Sequence, residues 1–211
     1  MKNFTGYNLY FYTDILFGKG TETRAGSMVR KHGGSKVLLV YGGGSIKKTG
    51  LYDRVVKSLN DEGIPFAEFG GVQPNPRRSF VEKGIKFAVE EKIDFLLAVG
   101  GGSSIDTAKA IGLALANNGE YWKFYNGTPA EKMAPVGTIH TISAAGSETS
   151  RSTVIVDDIE TGSKNGLNWD PCRPVFAIMN PELTYTVSAF QTGAGAADIF
   201  AHTVSRYFFH G

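Results

Sequence analysis

The chain has 211 residues and a formal net charge of +2, with 42% hydrophobic and 20% charged residues. Those values describe one large globular domain, or one domain plus part of another, with no basic face for nucleic acid or a membrane surface. No uninterrupted apolar run approaches the ~18 residues of a membrane helix, and the single cysteine, Cys172, excludes an intramolecular disulfide and suits a reducing cytoplasm.

The first residues carry neither a sustained apolar stretch nor a small-residue cleavage site, so no signal peptide is expected. Asn8–Tyr12 and Asp14–Phe17 read as short strands, ahead of a helix near Thr21–Lys31 that Gly33 and Gly34 stop. Lys36–Tyr41 is a continuous apolar run, the pattern of a strand buried on both faces. After the Gly-rich turn Gly42–Ser45, the stretch Leu51–Glu62 places Leu51, Val55, Val56 and Leu59 on one helical face. Pro65–Phe69 is a predicted strand, and Arg78–Glu91 a helix with Val81, Ile85, Ala88 and Val89 at helical spacing. Phe95–Val99 is the next strand and Ser104–Asn117 the next helix. This alternation predicts the α/β class, with an open, Rossmann-like parallel sheet.

The pattern then changes. Val136–Ile142 and Ser152–Asp157 are β-rich with no helix between them, Val175–Met179 follows as a further strand, and Ser188–His210 turns helical. The expected division is an α/β domain over 1–184 and the start of a helical domain over 185–211.

Two features carry chemistry. The turns Gly42–Ser45 and Gly100–Ser103 each follow a buried strand, and parallel strands end on one edge of their sheet, where ligands sit. A helix that opens on such a turn offers free N–H groups and a positive dipole end to a phosphate. Neither turn is a GxGxxG fingerprint or a Walker sequence, so ordinary P-loop phosphoryl transfer is not expected. Asp198 and His202, four residues apart, share one side of the last helix. They are either two ligands of a divalent metal or a polar pair on a helix surface.

The segments YGGGSIKKTGLYD, AVGGGSSIDTAKAIG, TISAAGSETS, FAIMNPELTYT and GAADIFAHTVSRYF resemble, in order, those of the iron-containing (group III) alcohol dehydrogenases, in particular their butanol dehydrogenase and broad-specificity aldehyde reductase branch. The resemblance implies a dehydroquinate synthase-like α/β domain that binds the dinucleotide, then an all-helical domain, with the metal in the cleft between them. It implies that Gly101, Gly102 and Ser103 hold the pyrophosphate, and that Asp106 lies near the nicotinamide. Thr141 and Lys164 match cofactor-contacting positions, Lys164 in the loop after the third strand segment.

The family metal, iron or zinc, takes one aspartate and three histidines. Asp198 and His202 match the aspartate and the first histidine, and this sequence has no residues at the other two positions. Ala145 stands where relatives often carry a threonine touching the pyrophosphate. The implied reaction is hydride transfer between NAD(P)H and a small primary alcohol or aldehyde such as butanol or butanal. The implied assembly is a homodimer through the N-terminal strand NLYFY. A nucleotide-binding module without catalysis, and a glycerol dehydrogenase or dehydroquinate synthase on the same architecture, stay open as alternatives. For the cofactor, the turn after Lys36–Tyr41 has no acidic residue before Asp53, while Ser45, Lys47 and Lys48 offer hydrogen bonds or charge. That predicts NADP(H) over NAD(H), with Gly43, Gly44 and Ser45 beside the adenosine ribose.

Overall fold

The computed structural model describes residues 12–130, 132–144 and 146–209. In chain order the described elements are β1 (Asp14–Phe17), α1 (Ala25–Lys31), β2 (Val37–Tyr41), α2 (Ser45–Lys48), α3 (Leu51–Asp61), β3 (Phe66–Phe69) and α4 (Arg78–Glu90). They continue with β4 (Phe95–Gly100), α5 (Gly102–Ala116), α6 (Trp122–Tyr125), β5 (Val136–His140), β6 (Ser152–Val156), β7 (Lys164–Asn168), β8 (Phe176–Met179) and α7 (Ala189–Phe208).

Six of these strands form one sheet in the order β1-β8-β5-β4-β2-β3, and every pairing in it is parallel. Side chains alternate across a strand, so β2 and β4 feed two cores. Leu38, Val40, Leu96 and Ala98 pack against α4 and α5 on one face. Val37, Leu39, Leu97 and Val99 pack against α1 and α3 on the other. The predicted doubly buried runs are fully buried along both strands. In β5 a close approach takes the place of a side chain: a Cβ on Gly137 would lie 2.2 Å from the ring of Phe176, which stacks on Phe95.

The chain runs from β2 outward to edge strand β3 and then crosses to β4 on the other side of β2. The switch point of the sheet therefore lies between β2 and β4, where open α/β sheets bind ligands at the carboxyl edge. Both Gly-rich turns leave the sheet there, from strands paired Tyr41 to Val99.

Several expectations change. Helix α5 begins at Gly102 rather than Ser104, so Gly102 and Ser103 of the turn belong to its first turn. Lys164 opens β7, which pairs antiparallel with β6, instead of sitting in a loop. The segment KNGLN has neither the β-branched content nor the apolar run that marks a strand; its partner β6 imposes the conformation. Residues 8–11 of the predicted first strand, and with them most of the proposed dimer strand, lie outside the described residues, as do Ala145 and His210. Helix α7 has no buried residue, and Phe190, Phe200, Tyr207 and Phe208 along it are exposed. Among the described residues no helix is long and apolar enough to cross a membrane.

Candidate functional site

Gly44 has φ +103°, a left-handed conformation that suits glycine, and it starts α2 without a side-chain cap. Helix α5 starts at Gly102, with Gly101 at the N-cap and again no side-chain cap. The Gly102 and Ser103 N–H groups have no intrahelical acceptor and lie at the positive end of the dipole, while Ser104 and Ile105 donate to the Gly101 carbonyl at 3.1 and 3.3 Å. The backbone here is closely approached. A Cβ on Gly101 would lie 2.7 Å from Ile142 Cγ2, and one on Gly102 3.3 Å from Ser147 Oγ. Thr141 flanks the turn, its N–H donating to the Gly100 carbonyl at 3.1 Å.

Beside the β2 turn a cleft of about 600 Å³ runs along the same edge, with Ser45, Ile46, Thr141, Ile142 and Leu183 among its walls. A buried carboxylate ties those walls together: Glu22 accepts from Arg54 Nε and Asn180 Nδ2, both at 2.8 Å. Asn180 Oδ1 in turn accepts from the Glu182 N–H at 3.0 Å, capping the short 3-10 turn Pro181–Thr184 that leads toward α7.

Asp106 lies one turn into α5. Its Oδ2 accepts from the Val154 N–H at 3.2 Å, while its buried Oδ1 has no partner. Burial pushes the carboxyl up to about 6, against the pull of Lys109, of the Val154 N–H, of the nearby Ser147 hydroxyl and, more weakly, of Lys164. The Lys164 ammonium donates to Asn75 Oδ1 at 3.1 Å. The structure thus brings the second glycine turn, Asp106, Thr141 and the charge of Lys164 to one region. Gly43, Gly44 and Ser45 stand on the adjacent turn.

Lys47 departs from the sequence reading. Its ammonium donates to Glu68 Oε2 at 2.9 Å, and Tyr41 and Tyr52 donate to the same carboxylate at 2.6 and 2.5 Å. Those hydroxyls and the lysine hold Glu68 down at about 2. The lysine is committed to β3 and is absent from the cleft walls. Glu68 sits 21 residues from Lys47, and only the β2–β3 pairing reveals the contact.

Asp198 Oδ1 and His202 Nε2 are 3.6 Å apart on α7, both well exposed. A carboxylate and an imidazole on one helix face suit two positions of a divalent metal. Among the described residues no group of three or more histidine, cysteine, aspartate or glutamate side chains completes a site. His32 contacts Asp14 at 3.4 Å, and buried His140 lies 2.9 Å from Glu148, off hydrogen-bond alignment. Both are engaged away from α7. Sequence reasoning passed over Glu22, Arg54, Asn180 and Lys109. The first three meet only through the fold, whereas Lys109 gave a signal as one of two charges in an otherwise uncharged helix.

This arrangement has relatives. The model of the iron-containing alcohol dehydrogenase family matches residues 13–181. The NADH-dependent butanol dehydrogenase A of Clostridium acetobutylicum is 43% identical over 197 residues, 93% of this chain and 50% of that enzyme. The NADPH-dependent aldehyde reductase YqhD of Escherichia coli is 39% identical, over 95% of this chain and 52% of its own length. The crystal structure of NADH-dependent butanol dehydrogenase A from Thermotoga maritima superposes with a TM-score of 0.91 at 38% identity, covering 96% of this chain and 51% of that one. The chain spans about half the length of the relatives it matches, and it belongs to the iron-containing alcohol dehydrogenase family.

Proposed function

We propose that this chain binds NAD(P)H for the reduction of a small aldehyde, and the reverse oxidation of a primary alcohol, in the class of butanol and butanal. The observation that carries this reading is the pair of Gly-rich turns at the sheet's switch point, one of them opening the uncapped helix α5. In this reading Gly101, Gly102 and Ser103 hold the pyrophosphate, and Gly43, Gly44 and Ser45 receive the adenosine ribose at the cleft. Thr141 and Lys164 flank the cofactor. The unpartnered Oδ1 of Asp106 fits a hydrogen-bond donor at the nicotinamide end.

Asp198 and His202 would hold the metal, iron or zinc, as two of its ligands. When bound, the dinucleotide supplies hydride and the metal polarises the carbonyl oxygen. The chain's own part is to orient the cofactor by the α5 N–H groups and to shield it behind the loop that follows β5. A cytoplasmic homodimer, divided at 184/185 between α/β and helical domains, completes the proposal.

Two ligands leave the other metal positions to water, so zinc binding by this chain is expected only at high concentration, on the order of millimolar. Metal analysis after dialysis checks this. Stoichiometric zinc that survives His202→Ala contradicts the ligand assignment.

The turn Gly43–Ser45 carries no carboxylate, which supports a preference for NADPH; with Lys47 held by Glu68, that support rests on Ser45 and the turn backbone. Both dependences occur among the relatives' names. Ser45→Asp is expected to weaken NADPH about tenfold more than NADH, because the new carboxylate repels a 2′-phosphate and accepts from a 2′-hydroxyl. Calorimetry with both cofactors measures it. Equal wild-type affinities, unmoved by the substitution, reject the preference.

A further inference from the structure

Lys109 is fully buried, yet among the described residues no carboxylate lies within ion-pair distance of it. Its Nζ donates instead to three backbone carbonyls, Ser147 at 2.8 Å, Ser150 at 2.9 Å and Ser152 at 2.8 Å. An ammonium has three donors, and all three are used on one short segment that runs from the β5–β6 loop into the first residue of β6. Arg173 Nη1 grips the same segment through the Thr149 carbonyl at 2.7 Å.

That segment forms part of the proposed cofactor site. Ser147 Oγ lies 3.3 Å from the Cβ position of Gly102, so the segment walls the second glycine turn. Just beyond it, the Val154 N–H orients Asp106 at 3.2 Å. A shift of this segment alters both the space above the turn and the carboxyl one helical turn away.

We infer that Lys109 is a positioning residue for the dinucleotide: its charged ammonium clamps Ser147–Ser152 into the wall of the pyrophosphate turn, and this clamped form is the one that binds cofactor. The inference rests on the dinucleotide reading of the two turns. A neutral amine has two N–H donors, so losing the proton leaves one of three buried carbonyls unpaired and loosens the clamp.

Burial lowers the ammonium to about 8, opposed by Asp106 on its own helix, by Cys172 before β8 and by Glu148 in the clamped segment, while Arg173 adds to the lowering. The free protein therefore sheds this proton as pH rises through about 8. A pyrophosphate over α5 favours the charged lysine, so the complex keeps the proton to higher pH. Binding then takes up a proton and weakens with rising pH.

The test is calorimetric titration with NADPH between about pH 6 and pH 10, in buffers of different ionisation enthalpy, with NMR of carbon-labelled lysine beside it. Affinity is expected to be level near pH 7, above the Asp106 titration at about 6, and to fall by up to about tenfold per pH unit on the alkaline side. Net proton uptake should peak where the affinity falls most steeply, and the Lys109 resonance should titrate near about 8 in the free protein and move to higher pH with NADPH. Lys109→Met is expected to bind about tenfold more weakly at neutral pH and to lose the pH dependence. Packing alone does not produce proton uptake. If that variant does not fold, the wild-type curve and resonance decide. Level affinity across the range, no proton uptake and a Lys109 resonance unmoved by NADPH overturn the inference while leaving the cofactor site standing. A folded wild type that binds no NADPH at any pH rejects the site itself, and the inference with it.

Discussion

Gly102→Val is expected to abolish dinucleotide binding in a chain that still folds. Gly102 is the first residue of α5, and its Cβ position already lies 3.3 Å from Ser147 Oγ. Valine adds two branches there, stiff about χ1, in the space above the first-turn N–H groups. Each N–H to an ionised phosphate oxygen contributes about 1.5–3 kcal/mol. Losing two of them weakens binding by at least about a hundredfold. The fold is expected to survive because the first position of a helix has no intrahelical donor bond to lose. Gly102→Ala, with only the Cβ, should give an intermediate loss of about tenfold. Calorimetry reads the affinities and circular dichroism the folding; unchanged NADPH affinity in the valine variant contradicts the pyrophosphate assignment.

Asp106→Asn is expected to stabilise the free protein while weakening its grip on the cofactor. Burial raises the native carboxyl from the ordinary 3.8 to about 6, so ionising it costs the native state more than the unfolded chain. The sign follows from linkage. An acid whose folded pKa is raised contributes its stability below the unfolded value, and loses it as pH climbs through the folded one. Asparagine mimics the neutral form at every pH. The variant and wild type should therefore be about equally stable below about pH 4, separate as pH rises from there to about 6 and keep a level gap above it, with the variant more stable by about 1–3 kcal/mol at neutral pH. Natural retention of a destabilising charge fits a carboxyl kept for its ligand. Urea unfolding across that range checks the gap. A constant gap, or a less stable variant at neutral pH, shows that the burial of this carboxyl has been misread.

The sheet was legible because its central strands announce themselves. Lys36–Tyr41 and Phe95–Val99 are uninterrupted apolar runs, and only a strand covered on both faces tolerates that pattern. The glycine turns were legible as punctuation between those runs and amphipathic helices. Strand β7 was not, since KNGLN has no strand character apart from its pairing with β6. Contacts made by the fold over long separations were likewise hidden. Glu22 meets Asn180 across 158 residues, and Lys47 meets Glu68 only because β2 and β3 are neighbours. Lys109 lay in plain view inside GGGSSIDTAK. A lone lysine beside an aspartate in a helix otherwise free of charge, buried from Ser104 to Ala114 almost without break, marks a clamp or a site.

The most direct measurement is a crystal structure of the chain soaked or co-crystallised with NADPH. The pyrophosphate oxygens should lie about 3 Å from the N–H groups of Gly102 and Ser103, with the adenosine ribose against Gly44 and Ser45 in the neighbouring cleft. A dinucleotide bound elsewhere on the molecule, with both glycine turns left to solvent, would contradict the assignment of this edge as the cofactor site.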